Sequence, residues 1–374
     1  LARVLEEKGF DTTLWAHNDK LASDIRSAGE NRRYLPAFHL PKNLSATSSL
    51  EEALDQAEIV VFVVPSHAIR ETAAKVKPLL ASSSLVCSAS KGIENESLML
   101  MSQVLCDVLG KSIEPRLTYL SGPSFAKEVA MQMPTAVVVA GKDAKNTETV
   151  QRAFASDRLR VYSSDDVVGV EIGGALKNVI AIAAGAIDGL GLGHNSRAGM
   201  ITRGLYEIGR LAMKLGGSPL TVAGLSGMGD LVLTCTGDLS RNRTVGMALG
   251  QGRKLPDILA GLGHVAEGVK TAKSAYDLSE RGLPGALPGQ GRPRGGRQHH
   301  DARAEEREMS RTFFRTLGLC AGFVMPLAIA TTAEAQLQGG VQAGPGGVQA
   351  QGQGQPGTWN PPQYPPQGQP GYGQ

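Results

Sequence analysis

The sequence predicts an α/β protein with a doubly wound parallel sheet in residues 1–164 and a helical second domain in residues 165–283. Two observations support this. Short apolar runs such as Ile59 to Val64 lack the polar alternation of a half-solvated sheet, and helical patterns separate most of them. From about Asp165 to about Arg281, apolar residues recur at helical spacing.

The chain begins inside a helix, because Leu1 to Gly9 has helical spacing and ends in glycine. Asp11 to Trp15 follows as the first strand candidate. The later strand candidates are Ile59 to Val64, Leu85 to Ser88, Leu117 to Leu120, Ala136 to Ala140 and Arg160 to Tyr162, and Leu50 to Ala57 and Ala68 to Leu80 are examples of the intervening helices.

One long apolar helical pattern, Glu171 to Gly191, carries a single lysine, Lys177. A buried ammonium loses hydration, which lowers its pKa toward neutrality and makes Lys177 a candidate general acid and base. The structural alternative is a lysine whose stem lies on apolar surface while its ammonium reaches water. The segment alone favours this alternative, since structural lysines outnumber catalytic ones.

Ligands of open α/β sheets bind beyond the carboxyl ends of the strands. The loops expected there are Pro65 to His67, Ala89 to Gly92 and Ser121 to Ala126. The third combines a proline with a serine at a capping position, so it predicts either a ligand-binding helix start or an ordinary cap.

A second polar stretch, Ser240 to Arg243, follows Asp230 in the helical part. Arginine suits forked recognition of phosphate, and serine and asparagine add neutral hydrogen bonds. Two surface arginines on a solvated turn are the alternative, which is favoured if the motif stands alone.

The composition limits the classes of partner. A net charge of +3 is too small to indicate nucleic acid or a membrane surface. The four cysteines, Cys87, Cys106, Cys235 and Cys320, have neither metal-ligand spacing nor the density of a disulfide scaffold. We therefore expect a cytoplasmic enzyme with reduced cysteines and without a metal.

Taken together, several strings at consistent separation resemble bacterial NAD(P)-dependent glycerol-3-phosphate dehydrogenases over residues 1 to about 283. These enzymes reversibly reduce dihydroxyacetone phosphate to sn-glycerol 3-phosphate for phospholipid synthesis, and pair a Rossmann-like domain with a helical one. The strings are SKGI around Lys91, SGPSFAKE from Ser121, GALKNVIAIAAG around Lys177, GLGHNSRAGMITRGL from Leu190, GMGDLVLTCTG around Asp230, SRNR from Ser240 and VAEGVKTAK from Val265.

The resemblance implies a role for each matching residue. Lys177 transfers the proton, Lys91 contacts cofactor and substrate, and Asp230 positions Lys177 or a substrate hydroxyl. The remaining substrate contacts are implied for Gly122 and Ser124 in the loop and for Ser240, Arg241 and Asn242 around the phosphate.

The resemblance implies that Ala126, Arg241, Val265 and Glu267 contact the dinucleotide. Cofactor choice depends on the residue after the second strand of the complete fold, where an acid binds the NAD ribose and a base accommodates the NADP phosphate. His17 stands there, and Arg33 and Tyr34 follow. We expect NADPH, with NADH as the alternative if these are ordinary surface residues.

The sequence departs from the family at its start. A dinucleotide fold begins with a strand and a GxGxxG turn, and neither precedes Leu1 in this sequence. Without that strand, two inner edges of the sheet are expected to stay unpaired. Either the natural start lies upstream or the polypeptide binds dinucleotide weakly.

A second departure begins near Pro284. Residues 284–308 lack apolar periodicity, as after a change of reading frame, and residues 309–335 have the layout of a secretory signal peptide. Residues 336–374 are rich in Gly, Gln and Pro and are predicted to be disordered. The hypothesis is that the start of an exported protein has been joined to the dehydrogenase. A membrane anchor is the alternative, although Pro326 interrupts the uncharged run.

Two other functions stay open at this stage. One is another enzyme of the 6-phosphogluconate or hydroxy-acid dehydrogenase group, which the Ser240 to Asn242 motif with Asp230 disfavours. The other is a truncated, non-catalytic remnant. The sequence does not fix the oligomeric state, and a homodimer is kept as one alternative.

Overall fold

The computed structural model describes residues 1–262 and 266–280 of the 374-residue chain. Val265 and the predicted segments 284–308, 309–335 and 336–374 lie outside these described residues. The domain boundary at residue 164 stays a prediction.

The N-terminal part contains two separate sheets. The strands are β1 (Thr13–Trp15), β2 (Ser45–Thr47), β3 (Ile59–Phe62), β4 (Leu85–Ser88), β5 (Leu117–Ser121), β6 (Thr135–Gly141) and β7 (Leu159–Ser164). β1 pairs in parallel with β2, and the other five form a sheet in the order β3-β4-β5-β6-β7. The two sheets share no ladder in this part of the chain.

The sequence analysis predicted six of these strands and missed β2. Three residues, Ser-Ala-Thr, are too short and polar to give an apolar signal. The fold class is confirmed, but one pairing differs from a fully parallel sheet, because β5 and β6 run antiparallel. Their connection, residues 122–134, holds only a five-residue helix, whereas parallel neighbours need a full crossover.

Helices cover both faces of the five-stranded sheet. The helices in this part are α1 (Ala2–Glu7), α2 (Asp19–Ala28), α3 (Leu50–Leu54), α4 (Ile69–Val76), α5 (Met101–Leu109), α6 (Ala126–Ala130) and α7 (Ala144–Phe154). Val86 and Tyr119 pack in one core with residues of α4 and α5. Their neighbours Cys87 and Leu120 point to the opposite core, which α1 and α7 share.

The second part is helical, as predicted. It comprises α8 (Val167–Gly189), α9 (Gly193–Lys214), α10 (Pro219–Val222), a π-helical turn (Leu225–Gly229), α11 (Asp230–Thr236), α12 (Arg241–Gly250), α13 (Leu255–Leu262) and α14 (Glu267–Glu280). The predicted helix Glu171 to Gly191 corresponds to α8. Lys177 therefore lies near the middle of a helix and not in its first turns.

Helix α8 is the centre of the helical part. All residues from Ile172 to Gly185 are buried, and α9, α11, α12 and α14 pack around them. Among the described residues, α8 is the one helix long and apolar enough to span a membrane by itself. Since 89% of its most apolar window is buried inside the protein, it is the core helix of this part.

Glycines bring the backbones of α8 and α12 into contact. A Cβ atom at Gly246 would lie 1.9 Å from the carbonyl oxygen of Ile182, and one at Gly185 would lie 2.0 Å from that of Arg243. Small residues on both helices thus allow an approach that any side chain would prevent. This contact fixes the start of α12 beside the middle of α8.

We predict that Gly246→Ala lowers the free energy of unfolding by about 3 kcal/mol, because the added methyl must separate α8 and α12. Gly199→Ala in α9 is the matched control, since a Cβ there meets nothing within 4 Å. The control should stabilise the protein by about 0.5–1 kcal/mol through helix propensity. Urea unfolding of both variants measures the difference, and equal effects would contradict the close packing.

Candidate active site

The amine of Lys177 is buried and paired. Its side chain is 11% exposed, and Nζ donates to Asp230 Oδ1 at 2.5 Å and to Thr234 Oγ1 at 3.1 Å. Asp230 and Thr234 lie one turn apart on α11, and Thr234 Oγ1 donates to the Asp230 carbonyl oxygen at 2.6 Å. The amine therefore does not reach water along an apolar surface, as the structural alternative required.

Lys91 completes a three-charge cluster. Its Nζ lies 2.5 Å from Asp230 Oδ2 and donates to the Gly122 carbonyl oxygen at 3.4 Å. Asp230 is thus a bridge with one ammonium on each carboxylate oxygen, and its side chain is 2% exposed. Lys91 comes from the loop after β4, so the cluster joins the sheet to α8 and α11.

The cluster shifts the pKa values of its members. Burial and, to a smaller extent, the neighbouring Lys91 lower the pKa of Lys177 to about 8, although Asp230 opposes the fall. Burial alone would raise the pKa of Asp230, but the two lysines outweigh it and hold that pKa below its ordinary value. At neutral pH the carboxylate is ionised, and Lys177 is an acid within about one pH unit of losing its proton.

The loop after β5 brings backbone groups to the same place. Gly122 has a φ of +137°, and a Cβ there would lie 2.9 Å from Val137 Cα, so the turn requires glycine. Ser124 Oγ donates to the Gly122 carbonyl oxygen at 3.1 Å. The predicted serine cap is wrong, because Phe125 precedes α6 and no side chain caps that helix. Ala126 is the first residue of α6.

The Ser240 to Asn242 motif forms the N-terminus of α12. Ser240 Oγ accepts the Arg243 N–H at 3.2 Å and caps the helix. The Asn242 side chain donates to Asn178 Oδ1 and accepts the Gly268 N–H, both at 3.0 Å. Asn178 follows Lys177 directly, so this hydrogen bond places the start of α12 one residue from the buried amine.

Glu267, the first residue of α14, links two of the expected cofactor contacts to the cluster. Burial raises its pKa, and Arg241, Lys177 and Lys91 oppose the rise. Its carboxylate also accepts the Ser66 N–H from the loop after β3. Arg241, Lys177 and Lys91 therefore all lie near enough to Glu267 to act on its charge.

The three residues expected to select the cofactor lie elsewhere, in the part that forms the two-stranded sheet. His17 follows β1 and is exposed, and its Nε2 lies 2.9 Å from Asn18 Nδ2. The Arg33 guanidinium lies over the Tyr34 ring, 5.3 Å from its centroid, and both residues are exposed. An exposed guanidinium stacked on an aromatic ring suits an adenine with a phosphate nearby.

Sequence reasoning missed several polar residues of this region. Thr234, Asn178 and Ser66 each hold a predicted site residue through a hydrogen bond described above. Thr234 stands four residues after Asp230, so helical spacing was the available signal for it, whereas Asn178 and its partner Asn242 are 64 residues apart. Ser66 carried none, since its partner Glu267 lies about 200 residues away.

A small cavity of about 10 Å³ lies beside Lys91, with room for about one water molecule. Ser88 Oγ, Ser121 Oγ and Glu171 Oε2 are buried around it without a hydrogen bond to another described atom. The second oxygen of Glu171 accepts the Ser102 N–H at 2.9 Å. Burial raises the pKa of Glu171 to about 7, so this carboxyl is partly protonated at neutral pH.

Two family models match the chain. The N-terminal model of NAD-dependent glycerol-3-phosphate dehydrogenase matches residues 1–147, and the C-terminal model matches residues 166–287. The chain belongs to the NAD-dependent glycerol-3-phosphate dehydrogenase family. This membership confirms the resemblance predicted from the sequence and excludes the 6-phosphogluconate dehydrogenase group as its family.

Individual proteins similar to this chain carry the name of the same family. Glycerol-3-phosphate dehydrogenase [NAD(P)+] of Geobacter sulfurreducens is 55% identical over 281 residues, which are 75% of this chain and 84% of the relative. The Myxococcus xanthus enzyme is 53% identical over 278 residues, 74% and 83% of the two chains. The crystal structure of glycerol-3-phosphate dehydrogenase from Coxiella burnetii is similar, with a TM-score of 0.72, 38% identity, and coverage of 75% of this chain and 85% of that one.

Family members use NAD(P)H, a dinucleotide that in this fold binds beyond the carboxyl ends of the strands. A Cβ at Gly92 would lie 2.6 Å from Ser66 Oγ, so the loops after β3 and β4 meet without an intervening side chain. Lys91 precedes Gly92 directly, so its charged side chain starts at this junction. The Gly-rich turn that binds the pyrophosphate in this fold is not among residues 1–262 and 266–280.

We predict a pH-dependent effect of Glu171→Gln on stability. The folded-state pKa of about 7 exceeds the ordinary 4.5, so the folded protein binds the extra proton and loses stability as pH rises through this range. The neutral amide removes this loss, and the variant should gain about 2 kcal/mol over the parent between pH 5 and pH 8. Urea unfolding at both pH values measures the gain, and a pH-independent difference would contradict the buried carboxyl.

Proposed function

We propose that this chain reversibly reduces dihydroxyacetone phosphate to sn-glycerol 3-phosphate with NAD(P)H, feeding glycerophospholipid synthesis, and that Lys177 is its proton donor. The observation that carries the assignment is the buried Lys177 amine, which shares Asp230 with Lys91 at 2.5 Å on each side. A bound reduced nicotinamide supplies the hydride to the carbonyl carbon. The Lys177 ammonium gives its proton to the resulting alkoxide oxygen, and the neutral amine accepts it in reverse.

Lys91 and Asp230 set the conditions for that transfer. The Lys91 ammonium stabilises negative charge that develops on the carbonyl oxygen, in a site from which water is excluded. Asp230 keeps the Lys177 amine in one position and balances part of the positive charge. Asp230 does not carry the proton, since its pKa is held below the ordinary value.

The substrate's other groups are assigned to the two loops. The turn at Gly122 and Ser124 offers backbone and hydroxyl groups to the substrate hydroxyl. Ser240, Arg241 and Asn242 bind the phosphate at the start of α12, where helix N–H groups favour an anion. Asn242 donates to Asn178 through Nδ2, and that amide group has a second hydrogen left for the phosphate.

For the cofactor we propose contacts from both parts of the chain. Lys91, Ala126, Arg241, Glu267 and Val265 surround the nicotinamide end, and Val265 lies outside the described residues. His17, Arg33 and Tyr34 bind the adenine ribose and favour NADPH over NADH, because His17 and not an acidic residue stands at the position just beyond β1.

The rival is a remnant that neither binds dinucleotide nor turns over. It would follow if the two separate sheets, β1-β2 and β3-β4-β5-β6-β7, do not form one dinucleotide site. Fluorescence titration with NADPH and an NADPH-oxidation assay with dihydroxyacetone phosphate decide the matter. Both measurements are made on two proteins. One consists of residues 1–374, and the other carries in addition an upstream strand and a C-terminus like those of other family members. Activity of only the second chain would favour the remnant.

We also propose a cytoplasmic location, supported by free cysteines Cys87, Cys106 and Cys235. A homodimer stays a proposal, and light scattering of the purified chain distinguishes it from a monomer.

Lys177→Ala should lower kcat by about 10²-fold or more, given the usual contribution of a positioned acid and base. The control is Lys75→Ala, since Lys75 is an exposed lysine of α4 paired with Glu71. It should leave kcat unchanged. A Lys177→Ala variant that folds normally and keeps parental kcat would contradict the assignment.

The pH profile gives a further test. Reduction needs protonated Lys177, so its kcat/KM should fall as pH rises through about 8, whereas oxidation should rise over the same range. Asp230→Asn removes the anion that raises the Lys177 pKa, so both transitions should move to lower pH. A profile that Asp230→Asn leaves in place would show that another group titrates.

A further inference from the structure

The two arginines of the Arg241-Asn242-Arg243 motif have different partners. Arg243 Nε donates to Asp188 Oδ2 at 2.9 Å, and Nη2 lies 2.8 Å from the same oxygen. Its Nη1 donates to Asp238 Oδ1 at 2.9 Å. The fork of Arg243 is therefore occupied by carboxylates, and its side chain is 12% exposed.

Arg241 faces another direction. Residues two apart on a helix project to nearly opposite sides, since each residue advances by about 100°. Arg241 is exposed, and it contributes most among the charges that oppose the rise in the Glu267 pKa. Arg241 thus lies on the side of α12 toward Glu267, and Arg243 lies on the opposite side, toward Asp188.

Asp188 connects three helices through this contact. It lies in the last turn of α8 with a side chain 13% exposed. Besides Arg243 of α12, it accepts two hydrogen bonds at 3.0 Å from Arg197 Nη1 of α9. Two arginines on one largely buried carboxylate form a directional contact, because both guanidinium planes are fixed by their hydrogen bonds.

The start of α12 is held at two further points. Asn242 bonds to Asn178 of α8 on the site side, and the glycine contact at Gly185 and Gly246 holds the helix backbones together. Glycine contacts set the separation of two helices but resist rotation of α12 about its axis only weakly. The Arg243 to Asp188 pair resists it, because turning α12 would pull the guanidinium from its carboxylate.

We infer that Asp188 is a positioning residue for phosphate recognition, which holds Arg243 and thereby sets the direction of Arg241. The inference rests on the proposed function. Asp188 touches no substrate atom, and its effect reaches only the phosphate. Removing the Asp188 carboxylate should therefore weaken the binding of substrates that carry a phosphate. The reaction at the carbonyl, which depends on Lys177, should be unaffected.

The test compares two ketones in the NADPH-oxidation assay, dihydroxyacetone phosphate and phosphate-free dihydroxyacetone. Asp188→Asn should raise the KM for dihydroxyacetone phosphate by about tenfold, while kcat and the kcat/KM for dihydroxyacetone stay within about twofold. Asp238→Asn is the matched control, since it makes the same change on the same arginine at a carboxylate 96% exposed. The control variant should keep KM and kcat for both ketones within about twofold of the parental values.

A double-mutant cycle with Arg241→Ala tests whether Asp188 acts through Arg241. If it does, Asp188→Asn should add less than about twofold to the KM of an Arg241→Ala variant. Should Asp188→Asn be too unstable to purify, Arg243→Lys replaces it, because lysine keeps the charge but loses the fork. The same selective rise in KM is then expected.

Equal losses with both ketones would overturn the inference and indicate a general loss of structure. The inference would also be overturned if Asp188→Asn raised the KM for dihydroxyacetone phosphate by the same factor in the parent and in the Arg241→Ala variant. Absence of dihydroxyacetone phosphate turnover by the parent chain would instead overturn the proposed function, and the inference with it. Calorimetric titration of the parent with sn-glycerol 3-phosphate, with and without NADP+, separates failure to bind substrate from failure of the chemistry.

Discussion

The site depends on one carboxylate, Asp230, placed between two ammonium groups. Two lysines at 2.5 Å from a common, nearly inaccessible aspartate form an arrangement that is stable only while the anion is present, because a buried unpaired charge costs several kcal/mol. The same arrangement brings the pKa of Lys177 close to neutrality. Burial and Lys91 lower it, and Asp230 limits the fall. Structure and proton chemistry thus depend on the same three residues.

Helix α8 gives these residues their frame. It carries Lys177 and Asn178 near its middle and Asp188 in its last turn, and its glycines let α12 approach closely. The proposed proton donor thus lies on α8 itself, and the proposed phosphate site at the start of α12 is packed against the same helix. A helix buried on nearly all sides suits this role, since close packing leaves its polar residues little freedom to move.

Much of the fold followed from the sequence, because strands and helices with strong apolar patterns are local features. β3 to β7 and α8 are long or apolar enough to be recognised from their own residues. β2 was missed because three residues carry too little pattern, and the antiparallel β5–β6 pairing was missed because strand direction depends on the path of the connection. The serine cap predicted at Ser124 was wrong, since a capping residue type does not determine which group its hydroxyl contacts.

The sequence by itself determined the types of group available: one lysine in an apolar helix, an aspartate and a serine-arginine-asparagine motif in the helical part, and a lysine after a buried strand. Only the tertiary structure decided which of them share a proton site. Lys91, Lys177 and Asp230 are up to 139 residues apart in sequence, and no local pattern encodes a contact over that distance. The different partners of Arg241 and Arg243 were likewise decided by packing, because two identical side chains in one motif differ only in the surfaces that their helix presents them to.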